Sequence, residues 1–217
     1  MVDLYGQVGR RILQDGGFSI LRLDKSGALV TQDTHGKFYE AVKRGNAYYL
    51  AINTAAPTAY AGAAAGTPLI ALYNPLNSGK DLSILQAAIG IGSSGTTIAL
   101  VLFEYWLASL SLQGGIIGTG TQTKPINMYS QTTGGSVAYG FLNVALTGQT
   151  GTLNLLKPIV GGGANPGTTA PNTTSNGLDN PDGSIVIAPG SLLAIGSRTT
   201  LAAGSVDAAI IWEEIDA

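Results

Sequence analysis

The sequence predicts an all-β domain, an antiparallel sandwich or barrel, preceded by a charged N-terminal arm. Three observations carry this. Short apolar or alternating runs recur along the chain, about eight to ten of them between Gly, Pro and Asn clusters. No capped amphipathic helix pattern is visible in the body. Charge is divided unevenly: of 24 charged residues among 217, twelve fall in residues 1–45 and twelve in residues 46–217.

The arm, residues 1–45, carries seven Lys and Arg against five Asp and Glu. Within it Phe18–Leu23, the turn Asp24-Lys25-Ser26-Gly27 and Ala28–Thr31 read as a small hairpin. A lone hairpin is marginal in water, so it needs a neighbour or the body to dock on.

The body, residues 46–217, reads as strands in order. The expected runs are Ala47–Asn53, Pro68–Tyr73, Leu82–Ile91, Thr97–Trp106, Ala108–Leu112, Val137–Leu146, Thr152–Ile159, Ser184–Ile187, Leu192–Gly196 and Val206–Ile215. Turn signals separate them, among them Asn77-Ser78-Gly79, Gly134-Gly135, Pro189-Gly190 and Ala203-Gly204. The stretch around Leu100–Leu112 has a helix-compatible composition, but Trp, Tyr and β-branched neighbours favour a strand. Residues 161–183 contain three prolines and almost nothing apolar, which predicts a long surface loop.

Composition excludes several chemistries. Without cysteine there is no disulfide, thiolate nucleophile or Cys-ligated zinc. With one histidine, His35, no multi-His metal site forms within a chain. His35 lies beside Asp33, but no Ser sits in a nucleophile-elbow sequence, so it reads as a surface or interface histidine. Gly90–Gly95 fits G-x-G-x-x-G, yet a strand-like run follows instead of a helix, so a glycine-rich hairpin is the better reading. Asp179-Asn180-Pro181-Asp182-Gly183 offers clustered oxygens, but that spacing is ordinary turn chemistry. Glu213 and Glu214, adjacent on a strand, point to opposite faces and cannot form a carboxylate dyad; one of them could pair with Arg10 or Arg44. No catalytic residue, metal or cofactor is expected.

Partners follow from the same inventory. Arg10-Arg11 and Lys43-Arg44 are too few for a nucleic-acid footprint at a sequence pI of about 5.2. No apolar run is long enough to predict a membrane span, and no signal peptide is visible. A free domain of the body's size exposes roughly 7,800 Å². Twelve charges then leave about one per 650 Å², while a standard interface takes about 800 Å² per partner. The body is thus suited to burial in an assembly, because interface cores are depleted in charge.

The segments His35–Ala51 (HGKFYEAVKRGNAYYLA), Thr67–Ile91 (TPLIALYNPLNSGKDLSILQAAIGI), Ile187–Ser197 (IAPGSLLAIGS) and Asp207–Ile215 (DAAIIWEEI), in this order and spacing, carry a resemblance. The chain resembles jelly-roll, TNF-like structural proteins of tailed bacteriophages, the capsid decoration or cement type. The resemblance implies an antiparallel jelly-roll sandwich and a virion component made in the host cytoplasm. It also implies a homotrimer bound to the major capsid protein through arm and sandwich edge, with no enzymatic activity. The arm residues expected to make those contacts are Arg10, Arg11, Phe18, Ile20, Phe38, Tyr39, Lys43 and Arg44. Two other roles stay open. One is a tail-fibre or spike head binding a host glycan through loop 161–183 and Tyr129 or Tyr139. The other is a jelly-roll major shell subunit.

Overall fold

A computed structural model describes residues 36–55, 57–60, 62, 66–92, 101–109, 117–118, 122–147, 153–162, 175–198, 200 and 205–217. Two compact units divide the chain, Met1–Tyr39 and Glu40–Ala217. The arm hairpin at residues 18–31 and His35 lie outside the described residues.

Among the described residues, one short helix, α1 (Tyr39–Lys43), is followed by thirteen strands. They are β1 (Ala47–Ala55), β2 (Ile70–Tyr73), β3 (Lys80–Gly92), β4 (Val101–Ser109), β5 (Ile117–Gly118), β6 (Ile126–Asn127) and β7 (Tyr139–Leu142). Then come β8 (Leu146–Thr147), β9 (Asn154–Gly162), β10 (Ser175–Asp179), β11 (Ile185–Ile187), β12 (Ser191–Ser197) and β13 (Ser205–Asp216). The protein is all-β, and two antiparallel sheets packed against each other form a sandwich.

Sheet I runs β10-β3-β13-β1-β6, with β11 also pairing β3; sheet II runs β7-β2-β12-β4-β9; β5 and β8 pair separately. Every strand pairing in these sheets is antiparallel. The chain passes from one sheet to the other at β1 to β2, β2 to β3, β3 to β4, β6 to β7, β9 to β10, β11 to β12 and β12 to β13. Strands β4 and β9 are neighbours in sheet II, and the segment between them supplies β6 to one edge of sheet I and β7 to one edge of sheet II.

The two sheets read differently in sequence because they are buried differently. Sheet I has one face on the core, so β13 alternates buried and partly exposed positions. The centre of sheet II is covered on both faces, so β2 and β12 are buried at every position. Between the sheets pack Tyr48, Leu50, Ile84, Ile89, Ile210 and Trp212 from sheet I and Ile70, Leu72, Phe103, Tyr105, Leu193 and Ile195 from sheet II. Trp212 is fully buried and stacks on Tyr48 with ring centroids 6.2 Å apart. Such pairs add about 0.5–1.5 kcal/mol beyond area burial.

A second cluster lies on the far side of sheet II: Tyr60, Leu146 and Leu153 cover Ala71, Trp106, Leu192 and Ala194. Tyr60 meets Trp106 edge-on at 6.4 Å. Two glycines make room for it. A Cβ on Gly196 would stand 2.4 Å from the Tyr60 ring, and one on Gly62, at φ +72, would stand 2.6 Å from Trp106.

A β-bulge adjusts the register of the two longest strands. Ile211 pairs with Gln86 and Trp212 with Ile84, which leaves Leu85 as the extra residue on β3. The core positions of β3 therefore change parity, from Leu82 and Ile84 to Ala87, Ile89 and Ile91.

Three local differences from the sequence reading stand out. The expected break between Thr97–Trp106 and Ala108–Leu112 is absent, because β4 runs unbroken to Ser109 along β12 and β9. Residues Ser175–Asp179, inside the expected loop 161–183, form β10. Their strand signal is weak because Gly177 takes the position facing Val160 and Leu178 points outward, so no apolar alternation marks them. Finally, α1 forms within the segment read as arm.

Candidate functional site

Of the eight arm residues expected to contact a partner, Arg10, Arg11, Phe18 and Ile20 lie outside the described residues. In the first unit, Phe38 is half-buried with Lys37 Nζ 5.6 Å from its ring centroid, and Tyr39 is exposed.

In the second unit, the end of α1 fixes Lys43 and Arg44. Asn46 N–H donates to Ala41 O (3.1 Å) and Gly45 N–H to Val42 O (3.0 Å), with Gly45 at φ +76. That pair of bonds is a Schellman ending, which places a left-handed glycine just past the helix. Arg44 Nε stands 4.0 Å from Glu40, and both side chains are exposed, so this pair contributes little to stability. Lys43 Nζ lies 3.2 Å from the Tyr129 hydroxyl and 4.9 Å from its ring centroid. Asn127 holds that turn in place. Its Nδ2 donates to Gly45 O (2.6 Å), and its Oδ1 accepts from the backbone N–H of Tyr129 (3.0 Å) and Ser130 (3.1 Å). Lys43, Arg44 and the 57 % exposed Tyr129 thus form a braced cationic and aromatic corner. The sequence reading placed the lysine and tyrosine in different candidate sites and missed Asn127. Its signal, an Asn two residues before an exposed Tyr, is too common to single out.

The buried carboxylates are committed to structure. Glu104 is 2 % exposed and bound by Arg198, Nη2 at 3.0 Å and Nε at 3.3 Å. Glu214 is buried and accepts from Ser136 Oγ (2.5 Å), Val137 N–H (3.1 Å) and Trp212 Nε1 (3.5 Å). Glu213 points to the other face of β13, as expected for neighbours on a strand. Arg44, one of the two arm residues expected to pair with Glu213 or Glu214, meets Glu40 instead, and the other, Arg10, lies outside the described residues. Asp179 meets Lys157 Nζ at 3.0 Å, which bridges β9 and β10 beside Tyr105. Asp182 sits at φ +52 in a tight turn whose Gly183 N–H donates to Ile84 O. Among the described residues no group of three or more His, Asp or Glu could hold a metal ion. No helix among them is long and apolar enough to cross a membrane.

Several tyrosines resist ionisation. Burial pushes the Tyr60 hydroxyl up to about 12. Burial also raises Tyr105, with the Asp179 charge adding to the effect. Tyr48 is raised by burial first and by Glu214 second.

The other candidate surface is the outer face of sheet I. Register places Asn53, Asp207, Gly90 and Asn176 in one row across β1, β13, β3 and β10, and Ala51, Ala209, Ala88 and Leu178 in the next. Their members on β1, β13 and β3 line a shallow open depression with a floor of Ala and Gly. Asn53 Nδ2 donates to Asp207 Oδ1 and ties its polar rim. Sequence reading missed this face, since outward alanines become visible only once the β3 bulge and the pairing register are known.

No protein-family model, curated protein or solved structure matches the chain.

Proposed function

We propose that this chain is a virion structural protein, a decoration subunit that binds and stabilises the head shell of a tailed bacteriophage as an oligomer. The observation that carries the reading is the strand order. The last strand of sheet I lies between its first strand and β3, and the chain crosses between sheets at most connections. Read as a jelly roll, β1-β13-β3-β10 and β2-β12-β4-β9 are its two four-stranded sheets. Double-sheet jelly rolls of this kind serve viral capsids and lectins. The sparse charge of the body supports burial against neighbours at low desolvation cost. The corner of Lys43, Arg44 and Tyr129 supports a polar contact to a shell protein. A subunit that binds only the assembled shell stabilises it by linkage, and several weak contacts per oligomer act together.

A glycan-binding spike head is the second reading, favoured by the exposed rings of Tyr129 and Tyr139. Immunogold or cryo-electron microscopy of particles carrying the tagged chain separates the two. A regular head lattice is expected, and a tail-tip position would overturn the decoration reading. Deletion of residues 2–45 is expected to weaken head binding, and unchanged affinity would remove the arm from it.

A further inference from the structure

We propose that the free edge of β1, at Ala51 and Asn53, takes an added strand supplied by an extended segment of the shell protein. The inference rests on the decoration reading and names the contact by which the chain takes hold of the shell.

Hydrogen bonds at the start of β1 fix which way its backbone groups face. Glu214 N–H donates to Asn46 O (2.9 Å) on the β13 side, and Met128 N–H donates to Ala47 O (2.9 Å) on the β6 side. Alternate residues of an antiparallel strand address opposite neighbours. The register of β1 with β13 is continuous from Ala47 to Ala55. Tyr49, Ala51 and Asn53 therefore turn N–H and C=O to the same side as Ala47. On that side β6 pairs Tyr48 and Tyr49 and stops. Just before β6 the chain belongs to the other sheet, where Thr123 and Gly140 exchange both backbone bonds (2.9 and 3.3 Å). Among the described residues nothing bonds the outward N–H or C=O of Ala51 or Asn53, and both residues are exposed. Two donors and two acceptors, repeating about every 7 Å along a strand, match the main chain of another extended segment.

The other edges are blunted. Proteins protect sheet edges with short strands, Pro, Lys and bulges. β9 carries Lys157, Pro158 and two register shifts. β10 is tied to β9 through Asp179 and Lys157. β7 is closed at Gly140 by Thr123, and β6 is covered by the turn behind it, where Asn127 N–H donates to Thr132 O and Gly134 N–H to Pro125 O. β1 contains no Pro, Lys or Arg and no register shift.

Length decides the occupant. β6 fills the lane beside Tyr48 and Tyr49, so a nine-residue strand such as β1 of a second copy would run into it. A short extended segment stops before β6 and still bonds Ala51 and Asn53. Its outward side chains would lie beside Ala51, where the alanine floor leaves room for a large apolar residue.

The test uses the full chain and phage heads stripped of it. Ala51→Pro removes one edge donor and sets a ring in the lane, while the β13 ladder is kept, since proline is tolerated on an edge whose N–H faces outward. Binding to the stripped heads is expected to weaken by about tenfold or more, with melting of the free chain little changed. Asn53→Pro replaces it if Ala51→Pro misfolds. Hydrogen exchange gives a readout that a merely structural effect would not move. The Ala51 and Asn53 amides should exchange quickly in the free chain and at least about tenfold more slowly on the head. Proline variants that bind as tightly as the unchanged chain, or amides that stay unprotected on the head, would overturn the proposal. Protection already present in the isolated chain would overturn the shell segment as the occupant. A chain that sits on the head lattice but fails these tests loses the strand contact and keeps the decoration reading; a chain that does not bind heads loses both.

Discussion

Adding one methyl group at Gly196 tests whether Tyr60 seals the outer side of sheet II. The new Cβ would lie 2.4 Å from Tyr60 Cδ1, 2.8 Å from its Cβ and 2.9 Å from its Cγ. Contacts this short include the root of the side chain, so the ring cannot swing clear by rotation alone. Tyr60 itself is held, because its N–H donates to Ser197 O at 2.6 Å. Overpacking of this kind costs about 1–3 kcal/mol. The loss of unfolded-chain entropy on Gly→Ala offsets about 0.4–1 kcal/mol of that. A net destabilisation of about 1–2 kcal/mol is expected for Gly196→Ala, a fall in melting temperature of about 2–8 °C for a unit of this size. Tyr60→Ala alone is expected to cost about 3–5 kcal/mol through lost burial and a cavity. In the double variant the clash is gone, so its cost should fall short of the sum of the singles by about 1–3 kcal/mol. Urea titrations at fixed protein concentration measure all three. A neutral Gly196→Ala, or strictly additive costs, would refute the packing of Tyr60 against β12.

The remaining predictions concern hydrogen bonds and ionisation. Asn127→Ala is expected to cost about 1–3 kcal/mol by orphaning Gly45 O and the turn amides, and hydrogen exchange should quicken at Tyr129 and Ser130. Glu214→Gln keeps one oxygen for Ser136, Val137 and Trp212 but sets an amide donor at the second, where Val137 N–H also donates at 3.3 Å; a loss of about 1–3 kcal/mol in chemical denaturation is expected, and an unchanged midpoint would refute it. Unfolded tyrosines ionise near pH 10, whereas Tyr60 stays protonated to about pH 12. Its contribution is fully present below pH 10 and is lost as pH rises toward 12, at about 1.4 kcal/mol per pH unit. Ultraviolet titration should show Tyr60 and Tyr105 ionising only with unfolding. Asp216→Asn breaks an exposed bond to Lys80 and is expected to leave the melting temperature unchanged.

The sandwich was legible because its long strands are bounded by turn residues and carry β-branched and aromatic side chains. β1, β3, β12 and β13 all fall on expected runs. β5, β6 and β8 were not legible, since two residues carry no periodicity; they exist because partners in the fold pair with them. α1 is likewise short, and its Schellman glycine is readable only after the helix is known. The cationic corner was half legible: Lys43 and Arg44 stood out as charges, but Tyr129 reaches Lys43 across 86 residues of sequence. The outer face of sheet I was illegible because alanine and glycine carry no chemical signature, and their meaning comes from the side of the sheet they occupy.

The position of β13 has a consequence for synthesis. β1 and β3 make no ladder with each other, and β13 alone joins them. During translation nearly the whole of the domain before residue 205 therefore emerges with a gap where the centre of sheet I belongs. Edges of β1 and β3 stay open to wrong partners until residues 205–216 leave the ribosome. The nascent chain must wait for its last strand, and a stalled or truncated product would keep two sticky edges rather than a smaller version of the fold.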